Sequence, residues 1–518
     1  MNDRSRQFNP ITAKDIIYFA MTDRFCMAGP VHPDVNRHNT QGYHGGNFAG
    51  LISRIPYLKN LGVTALWITP VYLNLHPAQY NPTSNSWAYH GYWPYDFTQV
   101  DPHLYYPSVK YPAGDKRYLK EVADALHKEG IKLILDMVVN HTGYDHPGYY
   151  ENDIPNPTPI RRGWFNPPRE GWGEADWIFG LPDLNHNDPD VVRYFINDIL
   201  GWIEQAEIDA IRMDTVLYVE RHFWDEFKVT VHSKYPDVSL IGEVLDYDVD
   251  DVAKYMRYHD FNSVFDFPLQ GAAVAVFAEA ASCRKLARPQ LTWAEPNGAL
   301  DYSIDYTNPV RLVTLLDNHD LSRRFMTACL DGCGGDRKRA IRRFKMGLTF
   351  LVTTRGIPQI YYGTEIGMEG RNQPSDANMR QDMTWEVFDG GLEPTSAYPE
   401  AQEVFRHLRL LLQLRHGNEA LQFSTPETLF VDDCVYVCMQ EFRGNAMIIA
   451  FNNGRDPMLS PLTVQVDANP RLPQEIKTLL RDKTLIEQID NEQASIEVKD
   501  GNFQLQLPGE TSAVYKLP

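Results

Sequence analysis

The chain has 518 residues, of which 43% are apolar and 23% are charged, and this composition is ordinary for a globular protein. Its 49 Lys and Arg residues against 68 Asp and Glu give a net charge of −19, which argues against binding a nucleic-acid backbone or an anionic membrane surface. No apolar run reaches the roughly 18 residues of a membrane-spanning helix, and the polar N-terminus lacks the apolar core of a signal peptide. We therefore expect a cytoplasmic protein; the sequence leaves its oligomeric state open.

Short apolar runs alternate with segments of helical periodicity along most of the chain. One helix is predicted over Tyr118–Lys128, where Val122 and Leu126 share a face and Gly130 ends the pattern. The strand predictions, in chain order, cover Asp15–Phe25, Gly62–Val71, Ile131–Asn140, Ala210–Asp214, Leu240–Val244, Ser263–Phe267, Val313–Asn318 and Ile357–Tyr362. Eight apolar strands that alternate with helices predict an α/β fold, a parallel sheet closed into a (β/α)₈ TIM barrel.

Two further parts are predicted outside the barrel. Residues 140–187, after the third strand, are rich in Pro and aromatic residues and lack periodicity, and loops of this length are usually functional. After the last predicted barrel helix, Ala401–Leu414, the runs Cys434–Phe442 and Ala446–Phe451 predict an antiparallel hairpin. We therefore divide the chain into a barrel domain (1–139 and 188–420), an inserted domain (140–187) and a C-terminal β-sandwich (421–518).

Four predicted strands end in polar side chains, at the edge where a barrel carries its catalytic groups. The third strand ends in DMVVNH, the fourth in IRMD, the fifth in IGE and the seventh in DNHD. One such carboxylate alone is as readily a structural cap or an ion-pair partner. Four strands that end in acids at one rim indicate a chemical site, suited either to acetal cleavage or to metal binding.

Glycoside hydrolysis would assign a role to each acid, because it needs one carboxylic acid to protonate the leaving oxygen and one carboxylate as nucleophile or base. Arg212 lies two residues before Asp214 on the same side of a strand, where it would keep Asp214 ionised. Glu243 follows an apolar run, and burial would raise its pKa as a general acid requires. Asp320, beside His319, would bind sugar hydroxyls and stabilise positive charge on the ring.

The segments DMVVNH, IRMDTV, IGEV and LDNHD resemble, in sequence and in order, the conserved regions of the α-amylase family of glycoside hydrolases. The stretches AYHGYWPYDF, LPDLN and GIPQIYYGTE agree with the same family, and the resemblance covers roughly residues 15–414. It implies hydrolysis, with retention, of α-1,4-glucosidic bonds in maltooligosaccharides, starch or cyclodextrins. Retention in turn predicts that the two working carboxyl groups lie about 5–5.5 Å apart.

The resemblance also implies residue roles. Asp214 would be the nucleophile, Glu243 the general acid and then the general base, and Asp320 the group that stabilises the oxocarbenium-like transition state. Tyr92 would stack on the sugar at the non-reducing side of the cleaved bond, with Trp93 packed near it. The inserted domain would form one wall of the cleft, and the chemistry would require no cofactor. Further contacts to the same sugar would come from His141, Arg212 and His319.

Two places depart from the family's pattern. Many α-amylases carry Lys-His three and four residues after the nucleophile, whereas Leu217 and Tyr218 stand there in this chain, so one sugar contact on the leaving-group side is missing. The family's structural calcium site would use Asn140, but Asn185 replaces the Asp that usually accompanies it, and a neutral amide is a weaker ligand for Ca²⁺. Asn140 is therefore either a calcium ligand or a residue that hydrogen-bonds the inserted domain.

Other functions remain open at this point. An α-1,6 debranching enzyme or a 4-α-glucanotransferase would use the same catalytic residues, because outer subsites and water access separate these reactions. A non-catalytic glycan-binding protein on a degenerate barrel is a remote alternative, which the complete set of three acids disfavours. A metal-dependent hydrolase would also use carboxylates and histidines, and a chelator would inactivate it.

Overall fold

Eight short parallel strands form one sheet in the computed structural model of the chain, which describes residues 8–74, 86–144, 146–150, 156, 158–258, 261–288, 297–489 and 494–518. The strands are β1 (Ile17–Ala20), β2 (Ala65–Ile68), β3 (Lys132–Met137), β4 (Ala210–Met213), β5 (Ser239–Gly242), β6 (Ser263–Val264), β7 (Val313–Thr314) and β8 (Ile357–Tyr361). Their order in the sheet is β6-β5-β4-β3-β2-β1-β8-β7, and a parallel bridge between Phe265 and Val313 joins the two edges. The predicted (β/α)₈ barrel is confirmed.

Each predicted strand range overlaps an observed strand, but most of the ranges extend beyond the strand's end. The range Asp15–Phe25 contains β1 followed by a helical turn at Thr22–Phe25, so the strand prediction is wrong for its second half. The range Val313–Asn318 contains only the two residues of β7. Apolar, buried residues continue past the ends of these strands, so burial alone does not mark where the ladder of hydrogen bonds stops.

Helices separate the strands, as the alternation predicts. The helix predicted over Tyr118–Lys128 is confirmed, and the helix predicted over Ala401–Leu414 lies within a longer one. Over the described ranges, no helix combines the length and the apolar composition that crossing a membrane requires. The α-helices are Thr22–Phe25, Phe48–Ser53, Ile55–Leu61, Pro102–Tyr105, Arg117–Lys128, Pro147–Tyr150, Pro189–Ala206, Arg221–Lys234, Val249–Arg257, Phe267–Ala273, Phe325–Gly332, Arg337–Thr353, Pro399–His416, Glu419–Phe423 and Gln474–Leu480.

The barrel interior is filled by side chains. Every residue of β1, β2, β4 and β5 is buried, as expected for a parallel sheet covered on both faces. Phe19 of β1 stacks on Trp67 of β2 with ring centroids 3.6 Å apart. The ring of Tyr361, which lies on β8, is 5.4 Å from that of Phe19. These rings join β1, β2 and β8 directly below the rim where the acids lie.

The inserted segment returns its chain to the barrel rim. His141 forms a backbone bridge with Asp183, and Phe165 forms another with Leu184. The side chains of Trp164 and Phe165 belong to the same buried cluster as the barrel core. Within the predicted inserted domain, residues 145, 151–155 and 157 lie outside the described residues. The three domain boundaries remain predictions.

The C-terminal part is antiparallel, as predicted. It contains β9 (Glu427–Val431), β10 (Val435–Phe442), β11 (Asn445–Asn452), β12 (Leu462–Gln465), β13 (Thr484–Glu487), β14 (Ser495–Glu497), β15 (Asn502–Leu505) and β16 (Thr511–Lys516). Six strands form a sheet in the order β9-β10-β11-β16-β13-β14, and β12 pairs with β15. Between β10 and β11 the chain turns at Arg443 and Gly444, whose φ angles of 53° and 84° suit a two-residue hairpin turn.

Alternation along β11 places the six-stranded sheet between two cores. Met447, Ile449 and Phe451 pack into the barrel's buried cluster, whereas Ile448 and Ala450 pack into a second cluster with residues of β12 and β15. The ring of Phe451 lies 5.1 Å from that of Phe277 in the barrel. One face of the C-terminal sheet is therefore part of the barrel's own packing.

Because Phe451 packs into the barrel core, we expect Phe451→Ala to lower the stability of the folded protein strongly. Phe451 is fully buried, and deleting such a ring costs about 3–5 kcal/mol of unfolding free energy because a cavity replaces it. Urea unfolding followed by tryptophan fluorescence measures the change. Leu459→Ala is the matched control, since Leu459 is fully exposed and its truncation should leave the transition in place. A Phe451 variant as stable as the control would contradict a shared core.

Candidate active site

The register of the sheet brings the candidate acids together. Asp136 of β3 pairs with Arg212 of β4, which lies two residues before Asp214. The backbone N–H of Glu243, directly after β5, donates to the carbonyl oxygen of Met213 at 2.9 Å. Because neighbouring parallel strands end at the same rim, the carboxyl groups of β3, β4 and β5 converge there.

One buried guanidinium group contacts three carboxyl groups. Arg212 is 1% exposed, and its Nη1 donates to Asp136 Oδ1 at 2.8 Å and to Asp214 Oδ1 at 2.6 Å. Its Nη2 forms an ion pair with Glu243 Oε1. Although burial opposes the charge, Asp136 and Glu243 raise the pKa of Arg212 well above its usual value. The group therefore stays cationic while it holds all three acids.

Three carboxyl groups around one cation cannot all ionise easily. Burial raises the pKa of Glu243 to about 8; the charge of Arg212 opposes the shift, and the charges of Asp214 and Asp320 add to it. Burial likewise raises the pKa of Asp136 to about 7. Glu243 is therefore largely protonated at neutral pH, which is the state that a general acid needs.

The other oxygen of Glu243 is held by a special turn after β4. The backbone N–H of Thr215 donates to Glu243 Oε2 at 3.1 Å. Thr215 adopts a φ angle of 52°, in the left-handed region that non-glycine residues seldom occupy. This conformation, found directly after Asp214, directs the N–H toward the acid.

Asp320 lies at the open side of the same rim. Its side chain is 30% exposed, and Oδ1 accepts a hydrogen bond from Nη2 of Arg380 at 2.9 Å. The Nε of Arg380 also donates to the carbonyl oxygen of His319 at 3.2 Å. Arg380 was missed by the sequence analysis because it lies in a loop 60 residues away along the chain, with no motif around it.

Asp136 is the second residue that the sequence did not identify as part of the site, although it contacts both Arg212 and Tyr92. It is fully buried, and its Oδ2 accepts hydrogen bonds from Trp67 Nε1 at 3.0 Å and from the Tyr92 hydroxyl at 2.7 Å. The sequence carried a signal, because Asp136 opens the DMVVNH segment. Its function there is to position Arg212 and Tyr92.

The predicted sugar-binding residues surround this centre. The ring of Tyr92 lies roughly parallel to that of His319, with centroids 5.3 Å apart, and Nε2 of His141 lies 3.0 Å from the Tyr92 carbonyl oxygen. Trp93 lies further out, where its ring makes edge contacts with His90 and Tyr144. The structure thus places all predicted side chains at one rim, with Trp93 at its margin.

His319 keeps its ring nitrogens available for a ligand. Both nitrogens are buried and have no hydrogen-bond partner among the described residues. Burial, together with the charges of Arg380 and Arg212, holds the pKa of His319 well below its usual value. Nε2 lies 3.2 Å from Oδ2 of Asp320, so a neutral imidazole here can share hydrogen bonds with the hydroxyl groups of an uncharged ligand that also contacts Asp320.

Asn140, the predicted calcium ligand, makes two hydrogen-bond contacts with uncharged groups, while the buried Asp183 pairs with the next residue, His141. Asn140 is 1% exposed. Its side-chain Nδ2 lies 3.3 Å from Nδ1 of His141, and its backbone carbonyl oxygen accepts a hydrogen bond from the N–H of Leu184 at 2.8 Å. The Oδ1 of Asn185 accepts the N–H of Asn187 at 3.0 Å. These contacts do not form the carboxylate-rich cage that Ca²⁺ favours. They fit the alternative in which Asn140 holds the inserted segment, and calcium binding remains a prediction.

Two exposed aromatic rings of the inserted segment form a third group that was missed. Trp172 and Phe179 are 65% and 72% exposed and meet edge to face at 4.9 Å. The ring of Tyr218 lies 6.3 Å from Trp172. Burial, followed by the charges of Glu243 and Asp214, raises the pKa of Tyr218, so this ring lies near the acids. The aromatic group therefore borders the active site on the side of the β4 loop.

Comparison with known proteins agrees with this architecture. Residues 30–396 match the family model for the alpha amylase catalytic domain. The chain is 28% identical over 435 residues to the cyclomaltodextrinase of Thermoanaerobacter pseudethanolicus, a match that covers 82% of this chain and 66% of that protein. It is 30% identical over 461 residues to the beta/alpha-amylase of Paenibacillus polymyxa, with 85% of this chain and 34% of that protein covered. The chain thus spans one to two thirds of the length of these relatives.

A solved structure matches almost the whole chain. The alpha-amylase of Geobacillus thermoleovorans, complexed with acarbose, is 30% identical and superposes with a TM-score of 0.77 over 98% of both chains. The segment matched by the family model contains Asp214, Glu243 and Asp320. The chain therefore belongs to the α-amylase family of glycoside hydrolases.

Proposed function

We propose that the protein is a retaining glycoside hydrolase that cleaves α-1,4-glucosidic bonds in maltooligosaccharides, starch or cyclodextrins. The observation that supports this proposal most is the guanidinium of Arg212, which contacts the carboxyl groups of both Asp214 and Glu243. One side chain that contacts both acids keeps them close, as the short separation in a retaining enzyme requires.

The first step forms a covalent intermediate. A carboxylate oxygen of Asp214 attacks the anomeric carbon while the proton of Glu243 moves to the departing glycosidic oxygen. The bond from the anomeric carbon to the leaving oxygen breaks, and a glycosyl ester forms on Asp214. Glu243 can supply this proton because burial raises its pKa to about 8.

The second step returns the enzyme to its starting state. Glu243, now a carboxylate, takes a proton from water, and the water oxygen attacks the anomeric carbon. The ester bond to Asp214 breaks, and the sugar leaves with its original anomeric configuration. All proton and bond changes are accounted for by Asp214, Glu243 and water, so no cofactor takes part in these steps.

Residues around the acids would bind the sugar whose bond is cleaved. Asp320 would stabilise the positive charge that develops on the ring, and Arg380 fixes its position through a hydrogen bond of 2.9 Å. The ring of Tyr92 offers a flat apolar face, and its hydroxyl is held by Asp136. His319 would exchange hydrogen bonds with sugar hydroxyls, and His141 would do so only by sharing the hydrogen bond between its Nε2 and the Tyr92 carbonyl oxygen.

The substrate class follows from relatives and from charge. The relative named cyclomaltodextrinase supports cyclodextrins as substrates, and the acarbose complex of a similar alpha-amylase supports acarbose as a ligand of this chain. An uncharged α-glucan also suits a protein of net charge −19, since no electrostatic attraction of the substrate is needed.

Glucan transfer is a second candidate, favoured by the aromatic group at Trp172, Phe179 and Tyr218. Exposed aromatic rings stack on sugars, and a sugar held on the leaving-group side can replace water in the second step. The transfer product would be longer than the substrate. Products from β-cyclodextrin, linear maltooligosaccharides, pullulan and amylopectin, with and without EDTA, would separate hydrolysis, transfer, debranching and metal-dependent cleavage.

The catalytic assignment predicts severe loss of activity in Asp214→Asn. Without the nucleophile, activity on maltooligosaccharides should fall on the order of 10⁶-fold, the scale seen in kcat when a covalent hydrolase loses its reacting group. Asp237→Asn changes an exposed acid on the surface and serves as the control. Proton NMR of the first product should show the α-anomer; initial release of the β-anomer would rule out the retaining mechanism.

The pH dependence of kcat/KM should have a basic limb near 8. Glu243 acts in its protonated form, so activity is complete below its pKa of about 8 and is lost as the pH rises through that value. Glu243→Gln should lower the rate about 10²–10⁴-fold and remove this limb. A limb that persists in the variant would assign the titration to another group.

Trp172→Ala should lower the ratio of transfer to hydrolysis. Loss of one stacking ring is worth about 0.5–1.5 kcal/mol, so we expect the yield of longer products from maltotriose to fall several-fold. Hydrolysis at low substrate concentration should change less. Tyr258→Ala removes an equally exposed ring elsewhere on the barrel and is the control. Equal transfer ratios in both variants would exclude an acceptor site at Trp172.

A further inference from the structure

A cluster of two histidines and one aspartate contains none of the residues assigned to the active site. His32, Asp34 and His103 each offer a ligand atom, and these atoms all lie within 4.8 Å of one another. His32 and Asp34 belong to the loop after β1, whereas His103 lies in the short helix Pro102–Tyr105. The fold therefore brings together two segments that are distant in sequence.

The spacing within the cluster is that of metal ligands. Asp34 Oδ2 lies 3.5 Å from Nδ1 of His32 and 3.6 Å from Nε2 of His103. Hydrogen bonds between such groups are about 2.7–3.2 Å long. In a tetrahedral site with ligands about 2.0–2.1 Å from Zn²⁺, neighbouring ligand atoms lie about 3.3–3.4 Å apart. Asp34 is thus spaced from each histidine about as an ion would require, and all three ligand atoms lie within 4.8 Å of one another. The backbone N–H of Asp34 lies 3.4 Å from Nδ1 of His32, a long contact that an ion would replace.

A buried carboxylate orients His103 toward the cluster. Asp101 is 3% exposed, and its Oδ1 lies 2.6 Å from Nδ1 of His103. Since a carboxylate accepts hydrogen bonds, the proton resides on Nδ1, and the lone pair of Nε2 is free to bind a ligand. The Nε2 atom is buried without a hydrogen-bond partner in the described part of the chain. A carboxylate behind a ligating histidine is the usual arrangement of a metal site.

The surroundings keep the histidine rings in place and leave a path for the ion. The ring of Tyr43 stacks on His103 at 3.7 Å with an angle of 6° between planes. The side chains of Asp34, His32 and His103 are 38%, 21% and 11% exposed. Solvent can therefore reach the cluster through Asp34, and a water molecule has room to complete the coordination.

We propose that His32, Asp34 and His103 bind a divalent transition-metal ion of the Zn²⁺ or Co²⁺ class, with water as the fourth ligand. Two imidazoles and one carboxylate suit these ions, whereas Ca²⁺ and Mg²⁺ prefer oxygen ligands throughout. The ion would join the loop after β1 to the segment that follows the strand Pro94–Val100. The site stabilises the fold and takes no part in the chemistry of Asp214 and Glu243.

Metal binding to the chelator-treated full-length protein tests the proposal. Calorimetric titration with ZnCl₂ should give one site per chain, and Co²⁺ should produce the visible absorption of a tetrahedral complex. Zn²⁺ should raise the unfolding temperature in a concentration-dependent way, because it binds only the folded state. Ca²⁺ should neither bind at this site nor compete with Co²⁺. A chain that binds neither Zn²⁺ nor Co²⁺ would overturn the proposal.

Substitutions locate the ion. His103→Gln and His32→Gln should each remove the Co²⁺ absorption, and Asp101→Asn should weaken binding about 10–100-fold through its effect on His103. His38→Gln, an exposed histidine of the same loop, should keep full affinity and stoichiometry. Because His32 lies on a partly exposed loop, its variant retains the fold even if His103→Gln does not. Unchanged binding in His32→Gln would show that the ion sits elsewhere.

Discussion

The buried guanidinium of Arg212 is the interaction on which the active site depends. A charge removed from water is costly unless it is paired and hydrogen-bonded, and here three carboxyl groups compensate one cation. Burial raises the pKa of Glu243 and of Asp136. One cation cannot offset this effect for three acids, because the negative charge of Asp214 raises both pKa values further. The interaction that holds the acids in place also keeps one of them protonated.

The barrel core determines where this charged centre lies. Trp67 of β2 stacks on Phe19 of β1 inside the barrel and donates through Nε1 to Asp136. Asp136 in turn contacts Arg212 and the Tyr92 hydroxyl. A close-packed interior tolerates little displacement. The aromatic core thus positions the polar groups above it. A change in the packing of Trp67 would displace Asp136, and with it Arg212 and the acids that Arg212 contacts.

Two groups of side chains lie in loops that follow barrel strands. The aromatic rings of Trp172, Phe179 and Tyr218 form a group in which Tyr218 lies four residues after Asp214. On the loop after β1, His32 and Asp34 lie close to His103 in the cluster that we propose as a metal site. Catalytic residues define the reaction class, and the loops that surround them set substrate preference and stability.

Local patterns in the sequence were enough to predict the barrel, the three candidate acids and the C-terminal hairpin, because apolar periodicity, strand-end polarity and turn residues are local signals. They also predicted that Arg212 lies beside Asp214, since alternate residues of a strand share a side. The contacts of Arg380 with Asp320, of Asp136 with Arg212 and of Asp34 with His32 and His103 became visible only in the folded chain. These contacts depend on strand register and on the paths of loops, which bring together residues far apart in the chain. The apolar run before Glu243 predicted the direction of its pKa shift, but the value of about 8 also depends on the charges of Arg212, Asp214 and Asp320, which other parts of the fold bring to it.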